Sequence, residues 1–165
     1  MIAFVIIAIG IAMRFLPHPV NVTPVAAIAL FAGTYLNKKY ALWVPLAIMI
    51  ISDLFIGLHD VILYTWGSFV LVAIVGTWLR KNKNLLNIGR ASVASSFLFF
   101  IITNFGVWLH WYPRDVQGLV KCFAMALPFY RNAFVGDILF VAVFFGIYEL
   151  AARSVRETKF AYLAG

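Results

Sequence analysis

The sequence contains few charged residues and almost no cysteine. Charged types make up 12% of the 165 residues, against about 25% in an ordinary soluble domain. The single Cys122 excludes an internal disulfide and a metal site built on a cysteine pair. The sequence also lacks a His-Glu-x-x-His zinc motif, a Gly-x-Ser-x-Gly nucleophile motif and a phosphate-binding loop. We therefore expect that the protein is not an enzyme, that it carries no cofactor and that it has no ATP-binding site.

Apolar residues are abundant instead. They make up 64% of the chain, and the mean hydropathy is +0.98. So little polar surface cannot cover a water-soluble globule of this size, which places the chain in a bilayer. The length is enough for one domain, so we expect residues 1–165 to form a single transmembrane domain.

The apolar residues fall into runs that predict the helices. Six runs lie at about 2–16, 25–36, 40–58, 61–79, 91–112 and 133–152. A seventh run, at about 118–130, is too short to cross, so we expect it to re-enter the bilayer or lie at its interface. Because Met1 is followed directly by apolar residues, we expect the first helix to be retained. The prediction is an all-α integral membrane protein with six transmembrane helices.

The basic residues predict the orientation. With both termini in the cytoplasm, the inner segments hold nine basic residues: Lys38, Lys39, Arg80, Lys81, Lys83, Arg90, Arg153, Arg156 and Lys159. The outer segments then hold four: Arg14, Arg114, Lys121 and Arg131. This excess follows the positive-inside rule for short loops. Near the inner interface, Glu149 and Arg153 have the spacing of a local ion pair.

Three polar residues on different predicted helices fall at one depth. A rise of about 1.5 Å per residue puts Asp53, Asn104 and Asp137 about 20 Å from the inner face, in the outer third of the membrane. A carboxyl group at such depth usually faces the bundle interior, a partner or a wet cavity. The three residues could form the polar floor of an outward-open pocket, or they could only bond neighbouring helices.

A proline-rich loop enters at the same level. Residues 14–24 carry His18 and Asn21, and this loop could close a pocket from above or simply connect two helices tightly. Four side chains in this layer are of types that bind transition metals: His18, His59, Asp53 and Asp137. A metal site made from them is chemically feasible, although we expect none from the sequence alone.

One face of the fifth predicted helix is aromatic and apolar. Phe97, Ile101, Asn104, Trp108 and Trp111 recur at helical spacing. Such a face could supply a wall of a small-molecule site, with Trp108 in that wall, or it could be a packing stripe.

Small residues recur in the first helix. Ala8 and Ala12 form a small-xxx-small pair, which could pack inside the bundle or dock another membrane protein.

Several motifs resemble a known group of proteins. They are Arg14 to Pro24 (RFLPHPVNVTP), Ala29 to Gly33, Ser52 to Gly57, Phe99 to Trp108, Pro128 to Asn132 and Gly136-Asp137. Over nearly the whole chain they resemble an uncharacterised bacterial family of six-helix membrane proteins described as candidate transport proteins. This resemblance implies a multi-pass protein of the bacterial inner (cytoplasmic) membrane.

The size and six-span layout are also similar to the S-components of energy-coupling factor transporters, which bind the solute. That resemblance implies an outward-opening site capped by the loop between helices one and two. It further implies that Ala8 and Ala12 dock a transmembrane coupling protein driven by cytoplasmic ATPases.

Together these features predict binding and uptake of a small solute across the inner membrane. The predicted site comprises His18, Asn21, Asp53, Asn104, Trp108 and Asp137. The alternatives are a metal or cation carrier that uses the same histidines and carboxylates, a membrane enzyme acting on a lipid headgroup, and a scaffold subunit without a ligand.

Overall fold

The fold is a bundle of six α-helices. The structure is a computed structural model that describes residues 2–14, 16 and 22–163, and within that part of the chain it contains no strand. The helices are α1 (Ile2–Arg14), α2 (Val25–Tyr35), α3 (Lys38–Ile56), α4 (Ile62–Lys81), α5 (Leu85–Trp111) and α6 (Val116–Leu163). From α2 onward, loops of two to five residues join them, and connections this short make consecutive helices antiparallel. The all-α prediction is confirmed.

The surface of the bundle is that of a membrane protein. Helices α3 to α6 each contain a stretch that is long and apolar enough to cross a bilayer. Large apolar side chains such as Leu54, Phe55 and Leu63 are exposed on these helices. Extended apolar surface of this kind is unfavourable in water and is typical of a lipid-facing exterior.

Helix α2 forms the centre of the bundle. It contacts each of the other five helices, and every residue from Val25 to Thr34 is buried. A helix that is apolar on all sides buries its whole surface, which explains this position. With 11 residues it is about 16 Å long, so it covers only about half of the hydrocarbon thickness.

Two glycines allow α2 and α4 to touch. A Cβ atom added to Gly33 would lie 2.8 Å from the Gly76 Cα atom, and one added to Gly76 would lie 2.8 Å from the Gly33 Cα atom. The Thr34 hydroxyl reaches across the same contact to the Gly76 carbonyl, at 3.3 Å. Small residues are the usual means by which membrane helices bring their backbones together.

Arg80, at the end of α4, caps the C-terminus of α2. Its guanidinium donates hydrogen bonds to the carbonyls of Gly33 (2.7 Å) and Thr34 (3.2 Å) and to that of Leu36. The last carbonyls of a helix have no partner within the helix and carry partial negative charge, so a cation stabilises them. Arg80, counted above as a charge of an inner segment, is therefore a structural residue.

Helix α6 differs from the prediction. Val116–Leu163 is one continuous helix of 48 residues with Pro128 inside it. The prediction of a separate segment at 118–130 is therefore wrong. A proline removes one helical hydrogen bond but does not have to end a helix. The segment is also held against α5, where Phe123 packs on Phe100 with ring centroids 5.5 Å apart.

The second local prediction on α6 is also corrected. Glu149 accepts hydrogen bonds from the Lys83 ammonium at 2.5 Å and from the Tyr35 hydroxyl at 2.6 Å. Its ion-pair partner among the described residues is therefore Lys83, in the loop after α4, and not Arg153 one turn further along α6. Because tertiary packing brings Lys83 close, the local spacing does not decide the partner.

Candidate functional site

A cavity of about 380 Å³ lies inside the bundle at the end where α2 begins. Residues from α2 to α6 line it, together with Thr23 before α2 and His59 in the α3–α4 loop. We call it the bundle cavity. Its volume is in the range of small-molecule pockets, which is about 300–1,000 Å³.

Aromatic rings form much of the wall of the bundle cavity. The aromatic lining residues are Phe69, Phe99, Phe100, Phe129 and Tyr130. Phe69 and Phe99 have ring centroids 4.9 Å apart, and Phe100 and Tyr130 have centroids 4.4 Å apart. Paired rings at these distances are rigid, favourable contacts, so α4, α5 and α6 present a fixed apolar wall.

Helix α5 contributes a polar strip beside these rings. Ser96, Phe100, Thr103 and Asn104 recur on one helical face and line the cavity. The Thr103 hydroxyl donates to the Phe99 carbonyl at 2.7 Å, and the Asn104 amide donates to the Phe100 carbonyl at 2.8 Å. These hydrogens are used within α5, which leaves the side-chain oxygens of Thr103 and Asn104 as acceptors.

Asp137 on α6 is the acidic residue in the cavity lining. Its exposure is 8%, and no Lys or Arg forms an ion pair with it in the described part of the chain. The Ser96 hydroxyl lies near its carboxyl group, although Ser96 Oγ forms no hydrogen bond of normal geometry among the described residues. Asp137 is thus a buried carboxyl group that faces open space.

The neighbour of Asp137 fixes α6 against the start of α2. A Cβ atom added to Gly136 would lie 3.0 Å from Val22 Cγ1 and 3.4 Å from Val22 Cα. This close approach places Asp137 beside the chain entering α2.

The structure brings together two of the three acidic and amide residues predicted for the site. Asn104 and Asp137 both line the bundle cavity, and Asp53 does not. On α3 the lining residue is Met49, one turn before Asp53. Asp53 is 2% exposed and accepts a hydrogen bond from Trp66 Nε1 at 2.8 Å. Asp53 therefore links α3 to α4 beside the cavity. The depth estimate did not predict this, because a common depth does not fix the direction in which a side chain points from its helix.

Trp108 does not line the cavity, so this prediction is corrected. Its indole N–H donates to the Pro113 carbonyl at 2.9 Å, and its ring packs on Phe105. The face predicted from Phe97 to Trp111 lies largely outside the bundle, with Phe97 53% and Trp111 57% exposed. In a membrane the large apolar side chains of a helix can face lipid while its small and polar ones face other helices.

A serine stripe on α5 marks the side that does face inward. Ser92, Ser95 and Ser96 are all buried, and none of their hydroxyls has a hydrogen-bond partner among the described residues. Polar residues repeated at helical spacing on an otherwise apolar span indicate the interior side. The serine stripe predicts that Phe99, Phe100 and Thr103 also face the interior, although the sequence analysis did not select them for the site.

The other predicted residues have different outcomes. His18 and Asn21 lie outside the described residues. Ala8 and Ala12 are exposed on α1, which packs on the core through Ile7 instead. The interpretation of the alanine pair as internal packing is therefore wrong within the described structure.

Of the four residues considered for a metal ion, the structure describes His59, Asp53 and Asp137. His59 and Asp137 both line the bundle cavity, and Asp53 does not. Across residues 2–14, 16 and 22–163, no group of three or more His, Cys, Asp and Glu side chains has the spacing of a metal site.

Comparison with known proteins identifies a family. A model of a family of unknown function, DUF6580, matches residues 1–159. No curated protein and no solved structure gives a significant match. The family model covers nearly the whole chain, and the protein therefore belongs to the DUF6580 family.

Proposed function

We propose that this protein binds a small solute in the bundle cavity and takes part in its uptake across the bacterial cytoplasmic membrane. The observation that carries this proposal is Asp137, a buried carboxyl group on the wall of a cavity of about 380 Å³. Burial of an ionisable group in a membrane protein costs free energy, so such groups usually mark a ligand or ion pathway. Packing alone gives no reason for a carboxyl group that faces open space.

In the proposed topology the chain crosses the membrane six times with both termini in the cytoplasm, and the short helix α2 forms only part of its crossing. The cavity lies at the end of the bundle that contains the α3–α4 and α5–α6 loops. At this end Trp111 Nε1, in the last residue of α5, donates a hydrogen bond to Asp60 in the α3–α4 loop at 3.2 Å. The opposite end carries the exposed side chains of Lys39, Lys81 and Lys83. The positive-inside rule assigns that basic end to the cytoplasm, so the bundle cavity would face outward.

We further propose that the protein acts as an S-component-like subunit. In this proposal a transmembrane coupling protein with cytoplasmic ATPases would supply the energy, because the sequence has no phosphate-binding loop. The exposure of Ala8 and Ala12 on α1 supports such an assembly, since small residues allow a second helix to approach closely. The loop containing His18 and Asn21 would close the cavity from the outer side.

The test is native mass spectrometry of the full-length protein purified gently from its host. We expect a stoichiometric small-molecule adduct that is lost in Asp137→Asn and kept in Asp60→Asn. Asp60 is a matched control because it is an exposed aspartate at the same end of the bundle. An adduct retained in both variants would show that Asp137 is not in the site. Wild-type protein without any adduct would contradict high-affinity binding.

A metal or cation carrier is the second candidate. The observation that favours it is the presence of both His59 and Asp137 in the cavity lining. Elemental analysis of the same purified protein distinguishes the two proposals. A stoichiometric metal lost in His59→Ala would favour the carrier, whereas an organic adduct unaffected by this substitution would favour the S-component-like subunit.

A further inference from the structure

We infer that the solute is an organic cation, with a protonated amine or quaternary ammonium group on an apolar body. This inference rests on the proposed function, because it names the class of solute that the bundle cavity would bind. It is carried by three features of the lining: its charge, its hydrogen-bonding groups and its aromatic rings.

The lining favours a positively charged solute. Asp137 is the acidic residue of the described lining, and His59 is its one other titratable side chain apart from Tyr130. No Lys or Arg of the described residues lines the cavity. The ammonium group of a cationic solute would pair with the Asp137 carboxyl group, whereas an anionic solute would bring a second acidic group beside it.

The hydrogen-bonding groups of the lining are rich in acceptors. The hydroxyl hydrogen of Thr65 is used by the Val61 carbonyl at 3.3 Å, and that of Thr103 by the Phe99 carbonyl. One amide hydrogen of Asn104 is used in the same way. The oxygens of these three side chains can then accept hydrogen bonds from a solute. A protonated amine offers only donors, so it complements this set, whereas a quaternary ammonium group has no N–H and would bind through its charge and the aromatic rings.

The aromatic rings add a second source of attraction for a cation. Five of the lining residues are Phe or Tyr: Phe69, Phe99, Phe100, Phe129 and Tyr130. The faces of such rings attract ammonium groups, most strongly where water is excluded. The rings also contact the apolar body of the solute, so one wall can recognise both parts of an amphipathic cation.

The test compares two probes that differ only in their polar group. Full-length protein in detergent is titrated with 2-phenylethylammonium chloride or with 2-phenylethanol, and binding is measured by isothermal titration calorimetry. We expect the ammonium compound to bind about tenfold more tightly than the alcohol, since it adds a charge-assisted hydrogen bond. In Asp137→Asn this preference is lost, and in Asp60→Asn it is kept.

A milder variant covers the case in which Asp137→Asn does not fold. Thr103→Val keeps the shape of the side chain and removes one acceptor oxygen. We expect it to weaken binding of the ammonium compound about threefold and binding of the alcohol by less, because a hydrogen bond from a charged donor is stronger.

The outcomes separate this inference from the proposed function. Equal or tighter binding of the alcohol, or a native adduct without a basic nitrogen, would overturn the cation inference and leave solute binding intact. A native adduct with a basic nitrogen that is lost in Asp137→Asn would support both. Absence of probe binding and of any native adduct would overturn both.

Discussion

The two ends of the bundle use charged residues in opposite ways. At the basic end, Arg80 caps α2, and Lys83 pairs with Glu149, so these charges are bound to protein groups. At the cavity end, Asp137 is more deeply buried than any of these side chains, yet no cation of the described chain pairs with it. The backbones of α2 and α4 touch near the basic end, whereas a cavity of about 380 Å³ separates the helices near Asp137.

This contrast distinguishes charged groups that stabilise the bundle from a buried carboxyl group with which no cation of the described chain pairs. A charge satisfied by carbonyls or by an opposite charge recovers part of the free energy lost on leaving water. A buried carboxyl group beside open space does not recover it until a partner enters. The difference assigns a structural role to the charges at the basic end and supports the proposed ligand site at the cavity end, and three substitution experiments test it.

The largest effect is expected at Arg80. Arg80→Met leaves the carbonyls of Gly33, Thr34 and Leu36 without this donor. Because these groups are at the end of the central helix, we expect the free energy of unfolding to fall by about 3 kcal/mol. The measurement is thermal unfolding in detergent. Arg90→Met is the control, since Arg90 is exposed on α5, and equal losses in the two variants would refute the capping role.

The next effect concerns the α2–α4 contact. In Gly76→Ala the new methyl group would lie 2.8 Å from the Gly33 Cα atom and would also meet the Leu30 carbonyl. Because both are backbone atoms, the helices must move apart, at a cost of about 1–3 kcal/mol.

The same helix provides a matched control for that substitution. A Cβ atom added to Gly67 meets no atom within 4 Å, so Gly67→Ala should keep stability or raise it by up to about 1 kcal/mol through helix propensity. Both changes are measured by thermal unfolding. If Gly76→Ala were as stable as Gly67→Ala, the close contact would not be essential.

The smallest effects test the two acidic residues directly, and they should differ in sign. Glu149→Gln removes the ion pair with Lys83, and we expect it to lower stability by about 1 kcal/mol or less, because both side chains are over one-third exposed. Asp137→Asn replaces a buried carboxyl group with a neutral amide of nearly the same shape, and we expect it to raise stability of the ligand-free protein by about 1 kcal/mol, because an amide costs less to bury. Unfolding of dialysed protein measures both, and destabilisation by Asp137→Asn would show that its charge is structural.

The selection of site residues shows how far sequence reasoning reaches. The depth estimate placed Asn104 and Asp137 at one level, and both line the bundle cavity. The same estimate included Asp53, which instead bonds Trp66. On the predicted aromatic face of α5, Asn104 lines the cavity and the four large residues do not, whereas the serine stripe faces inward. Large apolar residues mark the interior of a soluble helix but can mark the lipid side of a membrane helix.

Hydropathy and helix length are properties of single segments, so the sequence is enough to predict an all-helical membrane protein. It also predicts which polar residues share a level, since the rise per residue is constant. Only the packing of the helices shows that Arg80 caps α2 and that Glu149 pairs with Lys83. The same is true of Asp137, which faces the cavity, and of Asp53, which bonds Trp66. These outcomes depend on how each helix is rotated against its neighbours, and that rotation is set by contacts between segments far apart in the chain.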